Sequence, residues 1–131
     1  MTTEFTVAIP DVPGSLARLG QLLGDARVNI EAIQGFVGGG HGLVRFVPDS
    51  AEDAARALDA AGYAHTRRDV IVVRVLDEPG ALGQLALVLA EAGINIDAIY
   101  VTTRGHMVLG VDDLTGAIHV AAGMAVMVSD D

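Results

Sequence analysis

Displacing the 131-residue chain against itself by 66 positions lays Asp11 on Asp77, Pro13 on Pro79 and Gly14 on Gly80. The same shift superposes Leu16, Leu19, Leu23 and Ala26 on Leu82, Leu85, Leu89 and Ala92. It also puts Asn29-Ile30 on Asn95-Ile96 and Ala32-Ile33 on Ala98-Ile99. About half of the positions from Asp11 to Ile33 are identical, with no gap. A duplication constrains the fold before anything else, because each copy must read as a structural unit of the same kind. The period exceeds that of the common solenoid repeats, so two compact units are expected rather than an array. Their expected extents are residues 1–68 and 69–131.

Each copy follows the same order. The β-branched runs "EFTVAI" and "VIVVRVL" end at an Asp-x-Pro-Gly turn and read as strands. Leu16, Leu19, Leu23 and Ala26 then recur at spacings of three and four, as do their second-copy counterparts, which predicts one apolar stripe on a helix. Gly93 closes the second helix. Arg27 stands at the matching place in the first copy. A positive φ there would cost an arginine about 1 kcal/mol, so the first helix is expected to end differently. The following strands, "VNIEAIQGFV" and "INIDAIYVTT", carry isoleucines three apart, which breaks alternation and predicts a bulge. A turn holding His41 or His106 leads to a returning strand, "GLVRFV" or "MVLGV". Asp49-Ser50 opens a second helix that buries Ala54, Ala57, Leu58 and Ala61, and the helix near "LTGAIHVAAG" is expected to be shorter and weaker. Last strands near "AHTR" and "MAVMV" close the copies.

The expected class is α+β: two ferredoxin-like βαββαβ units packed side by side, with both helices of each on one face of an antiparallel sheet. No linker separates the copies, so one rigid body is expected, each unit covering an exposed sheet edge of the other.

Composition narrows the function. Half of the residues are hydrophobic, enough for a core built from Val, Ile, Leu and Ala. A formal charge of −9, with no lysine anywhere, argues against nucleic acid or any other polyanion as partner. No apolar run is long enough to cross a membrane, and the start "MTTEFTVAIPDVPG" lacks the features of a signal peptide. The absence of cysteine removes thiolate chemistry and points to a cytoplasmic location.

The strand leading into Asp-x-Pro-Gly-x-Leu, the Leu-rich helix and the following Val/Ile-Asn-Ile resemble the ACT domain, a small regulatory module that binds amino acids and related metabolites. The resemblance covers nearly the whole chain, as two copies, and implies an allosteric, non-enzymatic protein with its ligand at the interface of two such domains. It implies one site joining Asp11, Val12, Pro13, Gly14, Ser15 and Leu16 to Asn95 and Ile96. A second would join Asp77, Glu78, Pro79, Gly80, Ala81 and Leu82 to Asn29 and Ile30. A small amino acid or related metabolite is the implied ligand, and a homodimer or a separate protein partner the implied route of output. No cofactor is implied.

Such a turn suits a zwitterion. A helix start offers unpaired N–H groups to a carboxylate, glycine lets the ligand approach the backbone, and an acid can face an ammonium. Asp11 and Asp77 also have an ordinary use, capping the turn through their side chains. The two sites are expected to differ: the first has the hydroxyl of Ser15, the second the extra charge of Glu78. Gln34, Phe36 and Tyr100 are further pocket candidates.

Other signals are weaker. "GFVGGGHG" lacks the Gly-Lys-Ser/Thr end of a phosphate loop and joins two strands, so it reads as a hairpin turn. Neither His41 nor His106 has a second ligand at metal-binding spacing. A small hydrolase on this topology would need an arginine in the loop after the first strand, and that loop, "PDVPGS", has none. The alternative of another class is an interaction or oligomerisation module without a small ligand.

Overall fold

The computed structural model describes residues 1–128. The chain divides into two units: Thr3–Arg68, and Asp69 onward together with Met1–Thr2. The first unit contains β1 (Thr2–Pro10), α1 (Ser15–Asp25), β2 (Ile30–Gly38), β3 (His41–Pro48) and α2 (Ala51–Ala60), and then the start of β4 (His65–Val73). The second takes the end of β4, then α3 (Ala81–Glu91), β5 (Ile96–Val101), β6 (Met107–Val111) and α4 (Leu114–Gly123). Each unit has the ferredoxin-like, ACT-type arrangement expected of its copy. No helix among the described residues is long and apolar enough to cross a membrane.

In the first unit the strand order is β2-β3-β1-β4, with β1 and β2 both antiparallel to β3. Alternation along β1 sends Phe5, Val7 and Ile9 to one face, where Leu19 and Leu23 of α1 and Ala54 and Leu58 of α2 bury them. In the second unit the order is β4-β6-β5, and Ile71, Val73 and Leu109 pack against Leu85, Leu89, Ala117 and Ala121. The bulges fall where the isoleucine spacing placed them, between Ile30 and Ala32 and between Ile96 and Ala98. Gly39 and Gly40, both at positive φ, turn the first hairpin in two residues.

Several expectations need correction. "AHTR" and "VIVVRVL" are not separate strands, because β4 runs unbroken from His65 to Val73. "MAVMV" forms no strand among the described residues. It contributes a bridge from Met127 to Val73, flanked by hydrogen bonds from Arg74 N–H to the Val126 carbonyl and from Val128 N–H to the Val72 carbonyl. The helix α4 has ten residues, as many as α2, because Asp113 caps it by accepting from Gly116 N–H. Ala61 is exposed at the end of α2 rather than buried. His41 opens β3 instead of standing in the turn.

The first helix does end like the second. Arg27 has φ 59 and Gly93 φ 77. Val28 N–H bonds the Leu23 carbonyl and Arg27 N–H the Gly24 carbonyl; Ile94 and Gly93 repeat this onto Leu89 and Ala90. Both are Schellman ends. Packing of Val28 and Ile94 into the two cores holds the left-handed residue in place, whether or not it is glycine.

Candidate functional site

The two Asp-x-Pro-Gly turns feed their helices identically. Gly14 and Gly80 are the N-caps of α1 and α3 at φ 92 and 89, a region glycine enters without a Cβ clash. Ser15 N–H donates to the Val12 carbonyl at 3.3 Å and Arg18 N–H to the Gly14 carbonyl at 2.9 Å. Ala81 and Gln84 do the same onto Glu78 and Gly80, at 3.3 and 3.0 Å. The helix-start donors left without an intrahelical acceptor are therefore the amides of Leu16 and Ala17, and of Leu82 and Gly83. Neither helix has a side-chain cap.

Asp11 and Asp77 are exposed, and neither carboxylate makes a hydrogen bond among the described residues. Capping of the turn, the ordinary use for such an acid, is not what these two do. Each stands as a free acceptor beside unpaired helix donors.

The stripe expected on each helix is rotated. Leu19 and Leu23, and Leu85 and Leu89, are buried, but Leu16 and Leu82 are exposed. In α1 the place of Leu16 on the core side is taken by the residue before. Ser15 is 3% exposed and its Oγ has no hydrogen-bond partner. An unpartnered buried hydroxyl costs roughly 1–3 kcal/mol, so its presence at a helix start is an anomaly. The matching position in the second unit is Ala81, with no hydroxyl.

A cavity of about 450 Å³ opens at the first mouth. Asp11, Val12, Ser15 and Leu16 form one side, and Ile33, Phe36, Val37 and Leu43, from the β2–β3 hairpin, the other. Asp11 is the only charged residue lining it. Of the pocket candidates on the second strands, Phe36 belongs here. Gln34 instead accepts a hydrogen bond from Arg45 at 3.4 Å, and Tyr100 is buried outside both mouth cavities. Ile33 and Val37 were missed by the sequence, whose one signal was their exposure on a hairpin of unspecified length.

The second mouth is built otherwise. Its cavity, about 390 Å³, is lined by Glu78, Pro79, Gly80 and Ala81, with Arg74 and with Met124 and Val126 from the segment after α4. No residue of β5 or β6 takes part. The cause is hairpin length. Asn29 and Asn95 differ by 66 positions, whereas Asp49 and Asp112, their partners across the strands, differ by 63, so the second hairpin is three residues shorter. Accordingly β2 has nine residues and β5 six. In the first unit β1 stays paired to β3 through Pro10↔His41. In the second, pairing of β4 to β6 stops at Val73↔Met107 and leaves Arg74–Leu76 without a strand partner in β6.

Asn29-Ile30 and Asn95-Ile96 lie at the opposite end of the helix from the mouth in their own unit. Eleven helical residues separate them, about 16 Å at 1.5 Å per residue. The side-chain amides of both asparagines are unbonded among the described residues, while their backbones are held by Asp49 and Asp112.

The sequence model of the ACT domain matches residues 3–62 and 70–126. A solved protein structure from Bacteroides thetaiotaomicron superposes with TM-score 0.88 at 20% identity, covering 97% of this chain and 91% of that one. The ligand-free regulatory subunit of aspartate kinase from Thermus thermophilus superposes with TM-score 0.72 at 21% identity, covering 95% and 90%. The Thermus flavus regulatory subunit gives 0.64 at 20%, covering 93% and 90%. At these identities the likeness is one of fold. No curated protein matches the sequence.

Proposed function

Because the chain belongs to the ACT domain family, we propose that it is a non-catalytic regulatory protein whose helix mouths receive a free amino acid or a closely related metabolite. The observation that carries this is the grouping, at one helix start, of unpaired amides, a glycine N-cap and a carboxylate with no partner in the turn. The amides of Leu16 and Ala17 suit an α-carboxylate, aided by the positive end of the helix dipole. The carboxylate of Asp11 suits an α-ammonium. Pro13 stiffens the turn and reduces the ordering that binding requires.

Occupancy would add a bridge between the start of α1 and the β2–β3 hairpin, on opposite sides of the cavity. A ligand that binds the bridged arrangement more tightly shifts the population toward it, and a partner polypeptide reads that shift. The fold shared with aspartate kinase regulatory subunits is compatible with such a role.

The test is calorimetry and thermal shift with the proteinogenic amino acids, on protein unfolded and refolded to strip any carried ligand. Saturable binding of at least one supports the proposal. No response at millimolar concentration overturns it.

A second reading has its own observation. Ile99 and Val101 are exposed on β5, the outer strand of the β4-β6-β5 order, a surface suited to protein docking without any small ligand. Partner binding that is independent of amino acids and lost in Val101→Lys would favour it.

A further inference from the structure

The duplication supplies an internal control for the helical layers of the two units. Helix α3 matches α1 at a displacement of 66, and α4 matches α2 at the displacement of 63 that the shorter hairpin leaves. The buried sides repeat. Leu85 and Leu89 are buried like Leu19 and Leu23, and Ala117 and Ala121 like Ala54 and Leu58. The exposed sides do not. Arg18 and Gln21 of α1 give way to Gln84 and Leu87 in α3, all four exposed. Glu52, Arg56 and Asp59 of α2 give way to Thr115, His119 and Ala122 in α4, again all exposed. Helix α4 holds no Asp, Glu, Lys or Arg, and α3 holds one such residue, Glu91 at its last position.

We propose that the outer face of α3 and α4 is a self-association surface, covered by a second copy of this chain. The fold does not ask for an uncharged layer, because the first unit carries the same two helices with charged outer sides. An uncharged, largely apolar helix belongs in an interior, yet Leu87 is 55% exposed.

Two observations make the occupant a second copy. The chain has a formal charge of −9, so two copies repel, and they approach with least penalty where neither brings a charge. The face is also complementary to itself. Gly83 stands one turn before Leu87 on the same side of α3, and both are exposed. Antiparallel packing of α3 on its copy about a two-fold axis seats each Leu87 over the other's Gly83, where no side chain intervenes. Within the single chain this glycine has no use. Its φ is not positive, and a Cβ there would meet nothing within 4 Å. Inside a helix it costs about 1 kcal/mol relative to alanine. Close approach of a second helix gives it one.

The test is sedimentation velocity on the full chain and on Leu87→Gln, Ala122→Asp and Gln21→Arg. The first two install in the second unit what the first unit carries at the same place of the same fold, so the core is left intact. The expected result is a dimer in the parent and in Gln21→Arg, with the dissociation constant raised roughly tenfold or more by Leu87→Gln and by Ala122→Asp. Because the chain has no cysteine, Gln84→Cys and Gln21→Cys each introduce a single thiol. A short bismaleimide should join two copies through the first and not through the second. A parent that stays monomeric at its highest soluble concentration overturns the inference and leaves the face to a different polypeptide. A dimer as tight in Leu87→Gln and Ala122→Asp as in the parent, or cross-linking through Gln21→Cys alone, overturns it as well. Each of these outcomes leaves the amino-acid-binding proposal standing.

Discussion

Asn29 and Asp49 close on each other. Asn29 N–H donates to the Asp49 carboxylate at 2.9 Å, and Asp49 N–H donates to the Asn29 carbonyl at 2.9 Å. Asn95 and Asp112 repeat the pair at 2.9 and 3.2 Å. Each clasp joins the start of one strand to the end of its neighbour, just outside the bulge. The asparagine's backbone is what the clasp uses, so its side-chain amide stays open. Asp49→Ala and Asp112→Ala should each lower stability by about 1 kcal/mol, the net worth of an exposed charge-assisted hydrogen bond. Urea unfolding monitored by circular dichroism measures this.

The open amides also make a prediction. Asn29 stands a helix length from the mouth of its own unit. Asn29→Ala should therefore leave affinity at the first mouth unchanged. Parallel titrations of this variant and the parent with the tightest-binding amino acid decide it.

Glycine at the mouth is needed for its backbone, not for lack of space. A Cβ at Gly14 would meet only an Arg18 guanidinium nitrogen at 3.8 Å, and one at Gly80 would meet nothing within 4 Å. Both sit at positive φ, so Gly14→Ala and Gly80→Ala should each cost about 1–2 kcal/mol. Valine, with its branched Cβ, is the harsher and less informative choice.

Arg27 holds a φ of 59, where its counterpart is glycine. Arg27→Gly should raise stability by about 0.5–1 kcal/mol, the left-handed strain relieved less the extra freedom of glycine in the unfolded chain. Thermal melting suffices as readout. A melting temperature lower than that of the parent would show that the arginine side chain contributes more than its backbone costs.

Glu4 is buried on β1, and its Oε1 accepts from Arg68 Nε at 2.9 Å, whereas Arg68 is about one-third exposed. The two truncations should therefore differ. Arg68→Ala removes a cationic partner from a carboxylate that water hardly reaches, and should cost roughly 2–4 kcal/mol. Glu4→Gln leaves an arginine that still meets solvent and should cost less. Chemical denaturation of both variants at neutral pH tests the order.

How far the sequence reaches is clear from particular residues. The duplication, the alternation of strand and helix, the Asp-x-Pro-Gly turn and the bulge at the three-apart isoleucines are written in near-neighbour patterns, because backbone sterics and side-chain periodicity act over a few residues. Such patterns were enough to identify Asp11, Gly14 and Ser15 as a helix mouth. They put Leu16 in the core and expected a differently ended first helix, and both were wrong. The burial of Ser15 in place of Leu16 depends on how α1 rotates against the sheet. The left-handed Arg27 depends on Val28 being pulled into the core. The asymmetry of the two mouths depends on where the β2–β3 hairpin ends relative to Pro10. A gap of three residues is visible in the sequence only once strand partners are known, because length becomes position through pairing. The turn determined that a helix start stands with unpaired amides beside an acid. Tertiary packing decided what stands across from it: Ile33, Phe36 and Val37 at the first mouth, and Arg74 with the segment after α4 at the second.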